Sequence, residues 1–140
     1  MTASEYLSAM GTSECDDAFA CKANYPTDTG GTFEDEWGAT TQECYAGAAM
    51  YYDAAATQAA ITAGKIDFDG AAAATCVAGM AAPTCSTFWD TGPSFPAACD
   101  DVMIGKTADG ATCAVDFECS GDDSWCDPNT AKCAPYPAGD

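Results

Sequence analysis

The first apolar residues of the chain recur with a helical spacing. Leu7, Met10, Gly11, Cys15, Ala18 and Phe19 fall on one broad face, preceded by Thr2 and, three residues on, Glu5, the pattern of a capping box. A helix is therefore predicted from Thr2 to about Lys22, although Gly11 costs about 1 kcal/mol relative to Ala. Between Asn24 and Gly38 the period is lost among Pro26, Asp28, Gly30 and Gly31; Phe33 and Trp37 stand in this loop as aromatic anchors, expected to plug a small core rather than grip a ligand. Thr40 to Glu43 repeats the capping pattern, and Cys44, Ala48, Tyr51, Ala55 and Ala59 carry a second helical stripe toward Gly64. Gly64 is placed for a left-handed C-cap, with Lys65 near the negative end of the helix dipole. A third helix is predicted from Asp69, with Phe68 as a staple and Ala71 to Ala74, Cys76, Val77 and Met80 following, closed by Pro83.

Beyond Pro83 the pattern is irregular. Cys85, Phe88, Trp89, Phe95 and Cys99 are punctuated by Gly92, Pro93 and Pro96, and Asp100 to Ile104 fits one helical turn or a short strand. From Gly110 onward Cys113, Cys119, Cys126 and Cys133 recur at near-equal intervals among Gly121, Asp127, Pro128 and Asn129. Four cysteines without helical periodicity are ordered by bridging one another, with the turn formers between them. The expected fold is mainly α: a small disulfide-stapled, Ala-rich three-helix domain over 1–105, then a cysteine-rich C-terminal knot over 106–140 with little regular structure.

Composition explains why staples are needed. Of the 140 residues 48% are hydrophobic, but Ala and Cys dominate; Leu7 is the one Leu, beside three Ile, three Val and six Phe. That falls below the roughly 20% of large apolar residues at which a highly charged chain still folds. Ten cysteines supply the missing constraint: Cys15, Cys21, Cys44, Cys76, Cys85, Cys99, Cys113, Cys119, Cys126 and Cys133. An even number in such a chain is the pattern of a secreted scaffold, whereas zinc and iron–sulfur sites show C-x2-C pairs or histidines, and neither occurs here. The residues leave the connectivity open, since ten cysteines allow about 945 pairings and a self-contained tail still about 45.

Charge narrows the partners. There are 22 acids against four Lys, with no Arg or His, for a formal charge of −18. Nucleic acid and anionic membrane surfaces are thereby disfavoured, and no run of about 18 apolar residues suggests membrane insertion. Neither a basic n-region nor an apolar h-region opens the chain, so a mature exported chain is expected, its signal sequence absent and Met1 an added start residue.

Candidate chemistry is thin. Without His, Arg or a G-x-S-x-G elbow, only adjacent carboxylates remain: Asp16/Asp17, Glu34/Glu36, Asp67/Asp69, Asp100/Asp101 and Asp122/Asp123. Chance adjacency among 22 acids accounts for these pairs, so no catalytic residue is assigned. Asp67-Phe68-Asp69-Gly70 matches part of an EF-hand loop but lacks the third acid and the closing Glu, and Asp69 as an N-cap explains it equally. Ca2+ is the one cofactor the acids bring into consideration, and no metal or cofactor residue is assigned.

The order Tyr6-Leu7-x7-Cys-x5-Cys, Thr40-x-x-Glu-Cys, Ala63-Gly-Lys-Ile-Asp-Phe-Asp-Gly-x5-Cys, Cys85-x13-Cys and Gly110-x-x-Cys-x5-Cys-x6-Cys-x6-Cys resembles the cysteine-rich secreted proteins and lipoproteins of myxobacteria and their relatives. In these an Ala-rich helical region precedes a knot similar to Dickkopf or colipase cysteine-rich domains. The resemblance implies export, bridging and, in the tail, interleaved Cys113–Cys126 and Cys119–Cys133 bridges; it carries no active site, and all ten cysteines are expected to pair because a stranded thiol outside the cell would be open to oxidation. Cys21–Cys44, Cys85–Cys99 and Cys15–Cys76 are the expected bridges of the helical part. Two departures stand out: no lipid-bearing Cys lies near the start, which argues against an anchor, and the lack of Arg points to a saline habitat. The expected function is that of a bacterial extracellular or cell-surface protein, not an enzyme, serving as a binding or interaction module. The alternative is a structural subunit of a homo-oligomeric assembly. A protein or a second copy is the expected partner, rather than a small molecule.

Overall fold

A computed structural model describes residues 1–28 and 30–137; 138–140 of the expected knot lie outside the described residues. The fold is mainly α. Helices α1 (Ala3–Ala20), α2 (Phe33–Trp37), α3 (Thr41–Tyr52), α4 (Ala54–Thr62), α5 (Gly70–Ala78) and α6 (Cys85–Thr91) are joined by short 3-10 turns, two of them at Ala97–Asp101 and Asp116–Glu118. Strands β1 (Ile66–Phe68) and β2 (Met103–Gly105) pair antiparallel, Asp67 opposite Ile104, while β3 (Ser124–Asp127) and β4 (Lys132–Pro135) form a hairpin in the tail with Cys126 opposite Cys133.

The predicted helix starts are made by the predicted side chains. Thr2 Oγ1 accepts from the Glu5 N–H at 3.1 Å while Glu5 Oε2 accepts from the Thr2 N–H at 2.9 Å. Thr40 caps α3 through the Glu43 N–H, but the Glu43 carboxylate reaches one residue further back, to the Ala39 N–H at 2.8 Å. Asp69 caps α5 through the N–H groups of Ala71 and Ala72, so the EF-hand-like fragment serves as a strand end and a helix cap. Gly64, at φ +76°, closes α4 with a bond from the Lys65 N–H to the Ala60 carbonyl at 2.9 Å, the Schellman pattern. Two elements were hidden. A third Thr/acid box, Thr32 with Asp35, starts α2 inside the predicted loop, and α6 occupies the stretch expected to be irregular.

The second helical stripe does not run through to Gly64. Asp53 takes a left-handed conformation (φ 37°, ψ 73°), a region that Asp tolerates better than most side chains, and its carboxylate caps α4 at the Ala56 N–H, 3.1 Å away. The break changes the phase of the buried face. α4 buries Thr57 and Ala60 rather than Ala55 and Ala59, and Tyr51, expected on the inner stripe, is 74% exposed. Thr57, fully buried, directs its hydroxyl to the carbonyls of Asp53 and Tyr52; the Asp53 carbonyl also accepts the Thr57 N–H, whereas the Ala56 N–H that would serve the Tyr52 carbonyl in an unbroken helix goes to the Asp53 side chain.

Two cores result. Tyr6, Leu7, Ala73, Cys76 and Val102 form one between α1, α5 and the residue that joins the Ala97–Asp101 turn to β2. Ala18, Cys21, Phe33 and Phe88 form the other, with Trp89 donating its indole N–H to the Cys21 carbonyl at 2.9 Å and Phe33 edge-on to Phe19, Tyr25 and Trp89. Phe33 is thus the core plug expected of it. Where large side chains are lacking, backbones close up: a Cβ on Gly11 would stand 3.0 Å from Ala48 Cβ across the contact of α1 with α3.

All ten cysteines are bridged, but the helical pairing differs from expectation. Cys15 pairs with Cys44, not Cys76, because α1 packs along α3 and sets both cysteines on the facing sides. Cys21 pairs with Cys85, not Cys44, because α6 returns beside the end of α1. Cys76 then takes Cys99 from the turn packed on α5. In the tail Cys113–Cys126 and Cys119–Cys133 are the interleaved bridges that the resemblance implies.

The tail is hydrogen-bonded to the end of the helical part. Thr107 donates to the Glu118 carbonyl at 2.8 Å and accepts from the Ser120 N–H at 2.9 Å, and Gly105 lies so close that a Cβ there would stand 2.6 Å from Glu118 and Cys119 backbone atoms. Glu118, only 1% exposed, holds the Ala114 and Val115 N–H groups on Oε2 at 2.6 and 2.8 Å. Its Oε1 lies 3.7 Å from Lys65 Nζ.

Candidate functional site

Where α3 breaks, the tail folds across the gap and leaves a cleft of about 450 Å³ walled by Glu14, Tyr51, Tyr52, Asp53, Asp116 and Phe117. Its shape follows from the sequence on each side. α3 ends in Tyr51-Tyr52, and the left-handed Asp53 turns the chain away before another helical turn can cover them. The 3-10 turn at Asp116–Glu118, fixed by buried Glu118, presents Phe117 opposite. Tyr52 and Phe117 stack with centroids 6.4 Å apart and planes at 14°, and Tyr51 stands edge-on to Tyr52 at 5.2 Å.

Carboxylates surround these rings. Tyr52 donates its hydroxyl to Glu14 Oε1 at 2.6 Å, so burial first, then the bond to Glu14 and its charge, push the Tyr52 phenol well above its ordinary range. Tyr51, although 74% exposed, is raised too, by the partial desolvation its place beside the cleft imposes and then by the charges of Asp116 and Glu14. Asp116 Oδ1 accepts from the Cys126 N–H at 2.8 Å and Asp53 Oδ1 from the Ala56 N–H. One oxygen of each acid is thus engaged by a donor of the protein.

A second concavity of about 600 Å³ adjoins the first and shares Glu14 and Tyr51 with it. Trp37 forms its aromatic wall, with Glu36 and Glu43 beside it. The Trp37 indole N–H is buried and has no hydrogen-bond partner among the described residues. Neither lining includes a lysine. Three of the four lysines are held in ion pairs elsewhere, Lys22 with Glu34, Lys65 with Glu118 and Lys106 with Asp67.

The acid pairs noted in the sequence are not brought together as acid–base couples. Asp16 accepts from the Tyr45 hydroxyl, and Asp17 is raised by burial and then by Asp16. Glu34 is lowered by its hydrogen bond from Lys22, while Glu36 accepts from the Tyr25 hydroxyl. Asp67 pairs with Lys106, Asp69 caps α5, and Asp100, Asp101, Asp122 and Asp123 are exposed. Among the described residues the one group of three ligand-type atoms within 4.8 Å of one another is the sulfurs of Cys113, Cys119 and Cys133. All three are committed to disulfides, which have no thiolate to offer a metal. Among the described residues no helix is long and apolar enough to cross a membrane.

Fold and cleft together define a disulfide-rich, mainly α protein that displays an aromatic groove edged with acids. Comparison with protein-family models, with curated proteins and with solved structures found no match. Of the residues of the first cleft only Tyr51 stood out in the sequence, and on the wrong face, while Trp37, expected as a core anchor, packs against the core around Phe33 and also lines the second concavity; the Tyr-Tyr-Asp run at 51–53 is the signal that could have marked the exposed helix end.

Proposed function

We propose that the protein is a non-catalytic extracellular binding module that receives its partner in the groove along Tyr51. The observation that carries this reading is the exposure of Met50 and Tyr51, 82% and 74%, at the rim of a cleft both of whose walls are cross-linked. Cys15–Cys44 ties α1 to α3, and Cys113–Cys126 borders the tail side. Large apolar side chains left exposed around a preformed concavity serve recognition, and a rigid frame lowers the entropy cost of binding. The carboxylates of the cleft are engaged as acceptors for structural donors, an arrangement that suits holding a ligand better than moving a proton. Five bridges and the likeness to exported cysteine-rich proteins support a location outside the cell.

The test is to titrate isotope-labelled protein with short peptides of either charge and with neutral oligosaccharides, locating binding by amide shifts and following each probe by mass spectrometry. At least one probe should shift the amides of 50–53 and 114–117 and be recovered unchanged. Turnover abolished by Asp116→Asn would make the protein an enzyme. Concentration-dependent broadening of the same amides, with no probe bound, would favour the structural subunit instead.

A further inference from the structure

The two concavities form one path, since Glu14 and Tyr51 belong to both. Along it Trp37, Tyr51, Tyr52 and Phe117 supply aromatic surface, and Glu36, Glu43, Glu14, Asp53 and Asp116 supply negative charge. An aromatic face carries negative potential and attracts a guanidinium or ammonium group laid against it, more so when carboxylates stand at its edge. The whole chain adds to that field with a formal charge of −18, and no lysine in either lining cancels it. A bare divalent ion fits less well, because the carboxylates are strung along the path and no three of their oxygens lie within 4.8 Å of one another. A second copy of the chain would bring a further −18 to the same surface.

We propose that this groove binds an extended basic segment of a protein partner, seating two arginine or lysine side chains, one against Tyr51 and Tyr52 between Glu14, Asp53 and Asp116, the other against Trp37 beside Glu36 and Glu43. The inference rests on the binding-module reading and adds the chemistry of the partner. Exposed Tyr51 sits at the junction of the two subsites and contributes to both. Attraction by the net charge alone would place a basic peptide anywhere on the surface; the rings make the position specific.

The test uses the intact oxidised protein and two matched probes, a tetra-arginine amide and its tetra-citrulline counterpart, which keeps the shape and loses the charge. Amide shifts at about 50 mM salt, where charge attraction is not fully screened, should saturate with tetra-arginine and concentrate at 36–37, 43–53 and 114–117. Tyr51→Ala, which changes no charge, should weaken binding about fivefold. Asp116→Asn, which keeps the acceptor for the Cys126 N–H, should weaken it by a similar factor, whereas Asp90→Asn, at a residue that lines neither concavity, removes the same charge and should change it less than about twofold. Equal binding of tetra-citrulline, non-saturating shifts spread over the acidic surface, equal losses from Asp116→Asn and Asp90→Asn, or the same shifts produced by calcium chloride alone would each overturn the proposal. If a neutral oligosaccharide or an acidic peptide shifts the cleft amides while tetra-arginine does not, the basic partner is refuted and the binding module stands. If no probe shifts them, both fall.

Discussion

Gly105→Ala should pry the tail from the helical part. A Cβ at this position would stand 2.6 Å from the Glu118 carbonyl carbon and oxygen and from the Cys119 carbonyl oxygen, about 0.8 Å short of the 3.4 Å at which ordinary contact begins. The obstructing atoms are backbone, held by Cys119–Cys133 and by the hydrogen bonds of Thr107 to Glu118 and Ser120, so no side chain can swing aside. Relief requires β2 and the 118–119 segment to separate. Losing two hydrogen bonds at about 1 kcal/mol each, together with about 1 kcal/mol of residual overpacking, gives an expected destabilisation of about 3 kcal/mol. The structural consequence is specific. Separation carries Phe117 away from Tyr52, opening the cleft while leaving α1 and α5 packed. Denaturant unfolding followed by circular dichroism measures the energy, and nuclear Overhauser contacts between the Tyr52 and Phe117 rings measure the gap. Gly47→Ala is the control, since nothing lies within 4 Å of a Cβ there and helix propensity alone should stabilise α3 by up to about 1 kcal/mol. A Gly105→Ala protein with wild-type unfolding and intact Tyr52–Phe117 contacts would refute the close approach on which the cleft depends.

Two further outcomes follow from the bridges and the tyrosines. Non-reducing digestion with a protease that cuts before Asp separates Cys15 from Cys21 at Asp16, and Cys85 from Cys99 at Asp90; mass spectrometry should then find Cys15 linked to Cys44, and Cys21 linked to the 69–89 peptide that carries Cys76 and Cys85, and a Cys21–Cys44 peptide would overturn the arrangement of α6 beside α1. Burial and Glu14 raise the Tyr52 phenol above its ordinary value of 10.0, so the stability it contributes is fully present below pH 10.0 and is lost as pH rises beyond it. Alkaline unfolding should therefore be shallower in Tyr52→Phe than in the wild type, and an unchanged profile would show that the phenol is not held in this way.

What was legible in the sequence was local chemistry. Thr2 with Glu5, Thr40 with Glu43, Asp69 and Gly64 each announced a helix end through interactions spanning a few residues, and the structure uses all four as caps. The Thr32 box escaped because Asp35 stands where Glu or Gln is the usual partner. The helical bridges were not legible, since joining Cys21 to Cys85 across 64 positions depends on where α6 returns, and no spacing records that. The three-residue pairing of Ile66–Phe68 with Met103–Gly105 is too short to leave an alternation. Glu118 was invisible for the opposite reason: of the acids among the described residues, the one that is buried carries no mark distinguishing it from those that are solvated.

The departures from local rules gather along the groove. Asp53 adopts a left-handed conformation, Met50 and Tyr51 leave apolar surface in water, and Glu14, Asp53 and Asp116 line the rings of a cleft whose lining includes no lysine. Each costs stability in the isolated chain, and the hydrogen bonds that Asp53, Glu14 and Asp116 accept return only part of it. A chain with one Leu and few other large aliphatic residues has little hydrophobic stabilisation to set against such costs. The offset comes from covalent constraint on the unfolded state: closing a loop the size of that between Cys21 and Cys85 contributes about 4 kcal/mol in the chain-entropy model, and the 15–44 bridge, on one side of the groove itself, nearly as much. Disulfides can carry this burden where a larger core cannot, because they stabilise without covering the rings. Strain and exposure concentrated at one concavity, offset by cross-links that leave it open, are what a surface under selection for binding would retain.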